Sequence, residues 1–319
     1  MGINIAILDA GTLGSDISFS MFESFGNVAV YDRTGQNEIT ERISDVDVVI
    51  VNKVKLGKDN LSDAANLKLI CVTATGYDNI DVNYCKERGI AVCNVCGYSS
   101  HSVAQLTSAM ALSLVNNLKQ YDGYVKDGSY TKSGTQNRVT PVFHEMSTLT
   151  WGIVGLGEIG KRTAEIASVL GCRVVAFKRT PDKDYECIDI DELCRVSDII
   201  SIHLPLTKQT KELINNDRIK LMKKTAIVIN VARGAVVDER ALCYALKNGN
   251  IGGLGIDVYS QEPMADNSPY QQIKDFDNVI LTPHMAWGAY EARVRCMEEI
   301  AKNIQAFYSN EQRNRVDIG

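Results

Sequence analysis

At 319 residues the chain is long enough for about two domains, each with an ample core. A hydrophobic share of 45%, a charged share of 23%, a net charge of -5 and a pI near 5.5 describe an ordinary globular protein and argue against a nucleic-acid partner, which would select a basic face. No apolar run reaches membrane-spanning length and Met1-Gly-Ile-Asn opens directly on a strand pattern, so neither a span nor a signal peptide is expected and a cytoplasmic location is.

Residues 3–8 and 28–31 read as strands, and Gly11-Thr-Leu-Gly14 between them reads as an ordinary strand-to-helix turn. Residues 46–52, 67–73 and 91–94 add three strands separated by helical segments, the repeating βα signature of a parallel sheet. The fourth strand runs into Ala74-Thr75-Gly76-Tyr77-Asp78-Asn79-Ile80-Asp81. A glycine turn there exposes backbone N–H groups, and such a nest can hold a small carboxylate; a plain turn is the alternative. The nine cysteines lie mostly in apolar runs and are expected to be reduced, buried thiols. Cys93-x-x-Cys96 is the one redox-like spacing, but it has no second pair for zinc and opens no helix, so no metal site is expected.

Residues 99–118 read as one long helix, with a capping box of Ser102 and Gln105. It carries two apolar stripes, Val103, Leu106, Met110 and Leu114 on one and Ala104, Ala111, Val115 and Leu118 on the other. Burial on two sides predicts a bridge between domains or subunits. Residues 121–148 show little periodicity over a length unusual for an idle loop, which predicts an arm used in assembly.

The stretch that organises the chain follows. Trp151 to Val154 is a buried strand that meets Gly155-x-Gly157-x-x-Gly160 and then a helix over 161–170. Gly155 permits the tight turn, Gly157 lets a pyrophosphate approach bare backbone, and Gly160 lets helix and strand pack closely, with the phosphate on the helix N-terminus. Gly155-x-x-x-x-Gly160-Lys161 also matches most of a triphosphate-binding loop, but Arg162 stands where that loop needs Ser or Thr for magnesium.

The next strand, 172–177, ends in Lys178-Arg179-Thr180. A site for NAD places an acid about 20 residues beyond the glycines to bind the ribose 2′-hydroxyl. A Lys-Arg-Thr cluster would instead supply two cations and a hydroxyl to a 2′-phosphate, so NADP(H) is favoured. NAD(H) stays possible, with Lys178 and Arg179 as solvated turn residues, Arg179 stacked on adenine, or Asp182 and Asp184 reaching the ribose. Further strands are read at 199–203, 226–230, 251–256 and 279–282, separated by helices such as 238–248. They make a second doubly wound sheet whose strand ends gather Arg233, Asp257, Glu262 and His284. The last helix, 289–308, lies outside that sheet and is expected to return to the first domain.

Taken together these motifs resemble the D-isomer-specific 2-hydroxyacid dehydrogenase family. The segments 74–81, 155–160, 230–234, 257–263 and 282–287 occur in family order and spacing over nearly the whole chain. Ala-Thr-Gly-Tyr and Pro-His-Met-Ala-Trp look like the glycerate dehydrogenase or hydroxypyruvate reductase branch. The resemblance implies an α/β protein with two doubly wound parallel-sheet domains, a Rossmann-type cofactor domain inserted into a flavodoxin-like substrate domain. In this chain that places the substrate domain at 1–98 and 288–319 and the dinucleotide-binding domain at 99–287, with dimerisation through the inserted part. The implied reaction is hydride transfer between a nicotinamide cofactor and a small 2-keto or D-2-hydroxy acid such as hydroxypyruvate or glyoxylate.

Reduction of a 2-keto acid needs a hydride on carbon and a proton on the developing alkoxide. His284 suits the proton donor, Glu262 would orient it and stabilise its protonated form, and Arg233 offers a planar fork for the carboxylate and carbonyl oxygen. The resemblance further places Thr75, Gly76, Tyr77, Arg233, His284 and Trp287 at the substrate, Trp287 as a wall that favours small acids. It places Gly155, Gly157, Glu158, Ile159, Gly160, Lys178, Arg179, Thr180, Leu204, Pro205, Thr210, Val231, Ala232, Asp257 and Val103 at the cofactor. The other histidines, His101, His144 and His203, have no comparable acid partner. His101, Gln105 and Cys96 depart from the acidic residues and proline that the family often carries there. Three alternatives share the pattern. A dinucleotide-sensing corepressor usually has added tails, a phosphoglycerate dehydrogenase would want basic residues near Gly76, and formate dehydrogenase pairs its histidine with an amide rather than with an acid like Glu262.

Overall fold

Runs of β-branched residues bounded by turns form the strands of this computed structural model, which describes residues 2–318. The chain divides into two compact units, one made of Met1–Ser99 and Gly288–Gly319, the other of Ser100–Trp287. The first holds five parallel strands, β1 (Ile3–Ile7), β2 (Gly26–Val30), β3 (Val48–Val51), β4 (Leu69–Val72) and β5 (Ala91–Cys93), in the order β2-β1-β3-β4-β5. That is the flavodoxin-like order. Every residue of β3 and β4 is buried, as a parallel sheet covered on both faces requires. The helix Tyr290–Tyr308 packs on β4, and its Arg293 donates to the Leu13 carbonyl (2.8 Å) and pairs with Asp16 (2.5 Å).

The second unit holds seven parallel strands: β6 (Thr150–Val154), β7 (Arg173–Phe177), β8 (Glu186–Cys187), β9 (Ile199–Ile202), β10 (Ile227–Asn230), β11 (Gly253–Ile256) and β12 (Val279–Leu281). Their order is β12-β11-β10-β9-β6-β7-β8. The winding reverses between β6 and β9, which pair with Val154 beside Ile202, so the loops leaving these strands open a crevice at the carboxyl edge. One face of the sheet is closed by the helices Ser100–Val115 and Glu158–Val169 over Trp151, Ile153 and Ile229, the other by a cluster that includes Leu193, Leu242 and Leu246. The fold class is the one expected: two parallel α/β sheets, the second in Rossmann order.

Local expectations fare less evenly. The helix starts at Ser100, so Ser102 lies within its first turn rather than at the cap, and its hydroxyl donates to the Ala286 carbonyl at 2.5 Å. No capping box with Gln105 is needed there. Asn117, with φ of 50°, ends the run early and starts a separate helix, Leu118–Lys126, which leaves Leu118 53% exposed and outside its supposed stripe. The long helix packs on the Glu158–Val169 helix and on β10 and β11. The expected assembly arm is partly helical, at Leu118–Lys126 and Ser129–Ser133, and the rest folds back through Tyr121 to the Pro141 carbonyl (2.6 Å) and Arg138 over the Tyr124 ring. Val125, Val139, Val142 and Phe143 on this arm are all exposed. β8 was not visible in sequence because two residues carry no periodicity.

All nine cysteines are free thiols, and burial pushes Cys85, Cys93 and Cys172 up to about 11 and Cys194 and Cys243 to about 12. These five thiols are inert at neutral pH.

Candidate active site

The glycine loop leaves β6 with Gly155 at φ of 100°, a left-handed conformation that side chains resist. A Cβ on Gly160 would overlap the Gly155 carbonyl oxygen, so the Glu158–Val169 helix can sit this close to the strand only over glycine. A Cβ on Gly157, by contrast, would meet no atom within 4 Å. Gly157 is also the helix N-cap and supplies no side-chain hydrogen bond to the first turn. Open space above bare backbone, at the positive end of a helix with unpaired N–H groups, fits a pyrophosphate. Glu158 and Ile159 form the first turn beside it.

The neighbouring loop after β9 touches the same turn. His203 N–H donates to the Val154 carbonyl (2.8 Å), and a Cβ on Gly155 would press on Leu204. Pro205 and Thr210 are tied together, with the Thr210 hydroxyl donating to the Pro205 carbonyl at 2.6 Å. His203 itself ends a buried polar column in which Trp151 Nε1 donates to Ser201 Oγ (2.9 Å) and Ser201 Oγ meets His203 Nε2 (3.0 Å). Burial pushes this imidazole down to about 3, so it stays neutral.

Past β7, Lys178 is not a solvated turn residue. Its Nζ meets Asp182 Oδ2 at 3.0 Å, and Lys161 from the first turns of the Glu158–Val169 helix meets the same oxygen at 2.9 Å. The Asp182 side chain is only 5% exposed. Lys161 first, then Lys178, hold its carboxyl well below the usual carboxylate range. Arg179 and Thr180 are exposed beside this group.

Arg233, Glu262 and His284 come from the carboxyl ends of three neighbouring strands, β10, β11 and β12. Asn230, fully buried, shapes the first of these turns: its Nδ2 donates to the Arg233 carbonyl (3.0 Å) and its Oδ1 accepts from Ala232 N–H (3.1 Å). Val231 is buried, and Arg233 Nη1 donates to the Ala232 carbonyl at 2.8 Å. A Cβ on Gly234 would overlap the Tyr259 and Ser260 backbone, so this glycine lets the Arg233 turn lie against the loop that bears Glu262. His284 Nδ1 meets Glu262 Oε2 at 2.7 Å, and Glu262 Oε1 accepts from Tyr259 N–H at 3.1 Å. The histidine side chain is 24% exposed, enough for one ring edge to reach a ligand.

His284 sits at φ of 53°, a conformation that costs a non-glycine residue about 1–3 kcal/mol. Asp257 offsets it. Its backbone carbonyl accepts from His284 N–H (2.8 Å), while its carboxylate, fully buried, accepts from the Thr282 hydroxyl (2.6 Å), Met285 N–H (2.9 Å) and Ala286 N–H (2.9 Å). Charge-assisted bonds of this kind contribute about 1.5–3 kcal/mol each, more than the strain. Burial raises the Asp257 carboxyl against these bonds and against His284, which favour the carboxylate. Trp287 Nε1 donates to the His284 carbonyl at 2.9 Å and closes the turn.

In the first unit, Thr75 donates to the Val95 carbonyl (2.9 Å) and Asn94 Nδ2 to the Thr75 carbonyl (2.8 Å), which fixes the start of the Gly76 loop. Asn79 Nδ2 donates to the Val54 carbonyl (2.9 Å), and Asp9 accepts N–H bonds from Asn52 (2.8 Å) and Val54 (3.1 Å), so two loops are locked side by side at one sheet edge. Tyr77 is exposed on it. Val103 is buried in the core of the second unit. Sequence reasoning missed Lys161 and Lys178 as joint partners of Asp182, although the i,i+4 spacing of Lys178 and Asp182 carried a signal. It also missed Asn230 and Thr282, which act only through turns.

Residues 108–286, more than half of the chain, match the family described as D-isomer specific 2-hydroxyacid dehydrogenase, NAD binding domain. The glycerate dehydrogenase of Methylorubrum extorquens is 36% identical over 280 residues, 88% of each chain. The D-lactate dehydrogenase of Aquifex aeolicus, solved with NAD and lactic acid, superposes with a TM-score of 0.86 at 31% identity over 99% of each chain. An acyclic imino acid reductase solved with NADPH and D-Arg gives 0.87 at 29% identity over 98% of this chain and all of that one.

Proposed function

The chain belongs to the D-isomer-specific 2-hydroxyacid dehydrogenase family, on its glycerate dehydrogenase and hydroxypyruvate reductase side, and we propose that it interconverts small 2-keto and D-2-hydroxy acids, hydroxypyruvate and glyoxylate first. The observation that carries this reading is the 2.7 Å bond between His284 and Glu262 beside the Arg233 turn. When bound, the nicotinamide supplies or removes the hydride at the substrate's C2. The chain supplies the rest. Glu262 Oε2 accepts from Nδ1, which leaves Nε2 of His284 as the atom that holds the moving proton. In reduction the protonated ring donates to the alkoxide; in oxidation the neutral ring accepts. The Arg233 fork takes the carboxylate and the carbonyl oxygen, where negative charge grows. Thr75, Gly76 and Tyr77 are the proposed carboxylate nest, and Trp287, held by its bond to His284, limits substrate size.

Gly155, Gly157 and Gly160 hold the pyrophosphate in this reading, with Leu204, Pro205, Val231 and Ala232 along the crevice. NADP(H) is favoured because the end of β7 carries Lys178, Arg179 and Thr180, and NAD(H) is a possible cofactor. The test is the rate of dinucleotide oxidation with hydroxypyruvate, glyoxylate, pyruvate and phenylpyruvate, each with NADPH and NADH. Hydroxypyruvate and glyoxylate should exceed phenylpyruvate at least tenfold in kcat/KM. Phenylpyruvate in first place would remove the small-acid assignment, and a tenfold preference for NADH would remove the phosphate assignment alone. The exposed apolar side chains of the arm, Val125, Val139, Val142 and Phe143, support a homodimer. Sedimentation at micromolar concentration should give a dimer, and a monomer alone would count against it.

A further inference from the structure

Lys161 and Lys178 reach one carboxylate oxygen from two elements, the first turns of the helix after the glycines and the end of β7. These elements flank the place where a Rossmann-type domain reads the adenosine ribose. The carboxylate comes from neither. Asp182 lies past Pro181, and its loop is folded inward by two further bonds, Asp184 N–H to Asp182 Oδ1 (3.2 Å) and Asp182 N–H to Cys187 Sγ (3.3 Å). The side chain is almost wholly covered, and the two lysines remain 43% and 32% exposed. An anion therefore already rests on two of the cations nearest the end of β7, with Arg179 exposed alongside.

We infer that Asp182 is a specificity-determining residue that occupies, as an internal counter-ion on Lys161 and Lys178, the place of the 2′-phosphate, and so keeps the site open to NAD(H) as well as NADP(H). This rests on the reading of the chain as a nicotinamide enzyme. A 2′-phosphate must compete with Asp182 for the two ammonium groups, which costs affinity for NADP(H). A ribose 2′-hydroxyl meets a lysine pair whose two positive charges Asp182 has already reduced to a net of one. Lys161, which no ordinary reading of the glycine loop includes, becomes the second phosphate cation.

The experiment is calorimetric titration of the full chain with NADP⁺ and with NAD⁺, for wild type, Asp182→Asn and Lys161→Gln, at low and high salt. Asparagine is isosteric and keeps an oxygen for the Asp184 N–H. The ratio of NADP⁺ to NAD⁺ affinity should rise about tenfold in Asp182→Asn, a Coulomb effect of one charge at short range reduced by partial exposure. It should fall about tenfold in Lys161→Gln, and both changes should shrink as salt rises. A residue that merely folds the loop would weaken both dinucleotides together and leave the ratio fixed. An unmoved or lowered ratio in Asp182→Asn overturns the inference while leaving the dehydrogenase reading intact. If Asp182→Asn fails to fold, as judged by its melting curve, an unmoved ratio in Lys161→Gln overturns it equally. Failure of wild type to bind either dinucleotide would bring down the nicotinamide reading and the inference with it.

Discussion

His284→Asn should lower kcat for hydroxypyruvate by about three orders of magnitude, within the range general acid catalysis supplies, while dinucleotide affinity stays near wild type. Asparagine is the informative replacement because His284 holds a left-handed backbone, which asparagine adopts far more readily than alanine. The variant therefore keeps the turn that Asp257 and Trp287 close, and loses only the proton carrier. Glu262→Gln is expected to cost less, because an amide can still orient Nδ1 but cannot balance the charged ring. A His284→Asn enzyme with undiminished kcat would move the proton donor to another group.

Arg233→Lys should lose about a hundredfold in kcat/KM, divided between a higher KM and a lower kcat. Lysine keeps the charge but not the fork that grips a carboxylate and a carbonyl oxygen together. The carboxylate contact exists in the bound substrate, so its loss raises KM. The contact to the carbonyl oxygen strengthens as the alkoxide forms, so its loss lowers kcat. The Asn230 bonds that shape this turn go to backbone atoms of Ala232 and Arg233 and survive the exchange, which keeps the effect on the side chain. Steady-state kinetics with hydroxypyruvate checks the split. An increase in KM alone would make the Arg233 contact equally strong in substrate and transition state, with no added grip on the alkoxide.

Much of the fold was readable because parallel sheets buried on both faces write themselves as unbroken apolar runs such as Val48–Val51 and Ile199–Ile202. The glycine loop was readable because the left-handed backbone at Gly155 and the close packing of Gly160 on the Gly155 carbonyl demand glycine at a fixed interval. What escaped depends on contacts between distant segments. The Ser102 hydroxyl looked like a cap by spacing, yet a carbonyl 184 residues away takes it. Asp257 was read as a strand-end residue at the cofactor, and only its burial and three accepted side-chain bonds reveal that it holds the His284 turn in a strained conformation. Asp182 looked like a loop residue past Pro181 that could at most reach the ribose, and its pairing with two lysines at once follows from how the loop folds inward at Cys187. Residues 121–148 lacked periodicity because the helices Leu118–Lys126 and Ser129–Ser133 bury no residue and only Met146 further on enters the core.

The central claim, that His284 and Arg233 serve a hydride transfer to the C2 of a small 2-keto acid, is tested most directly by the fate of a label. Hydroxypyruvate incubated with the chain and with NADPH or NADH deuterated at both C4 positions should yield D-glycerate carrying one deuterium at C2, in step with loss of the reduced dinucleotide. Dinucleotide that binds but is never consumed, or glycerate that is unlabelled or of the L configuration, would contradict it.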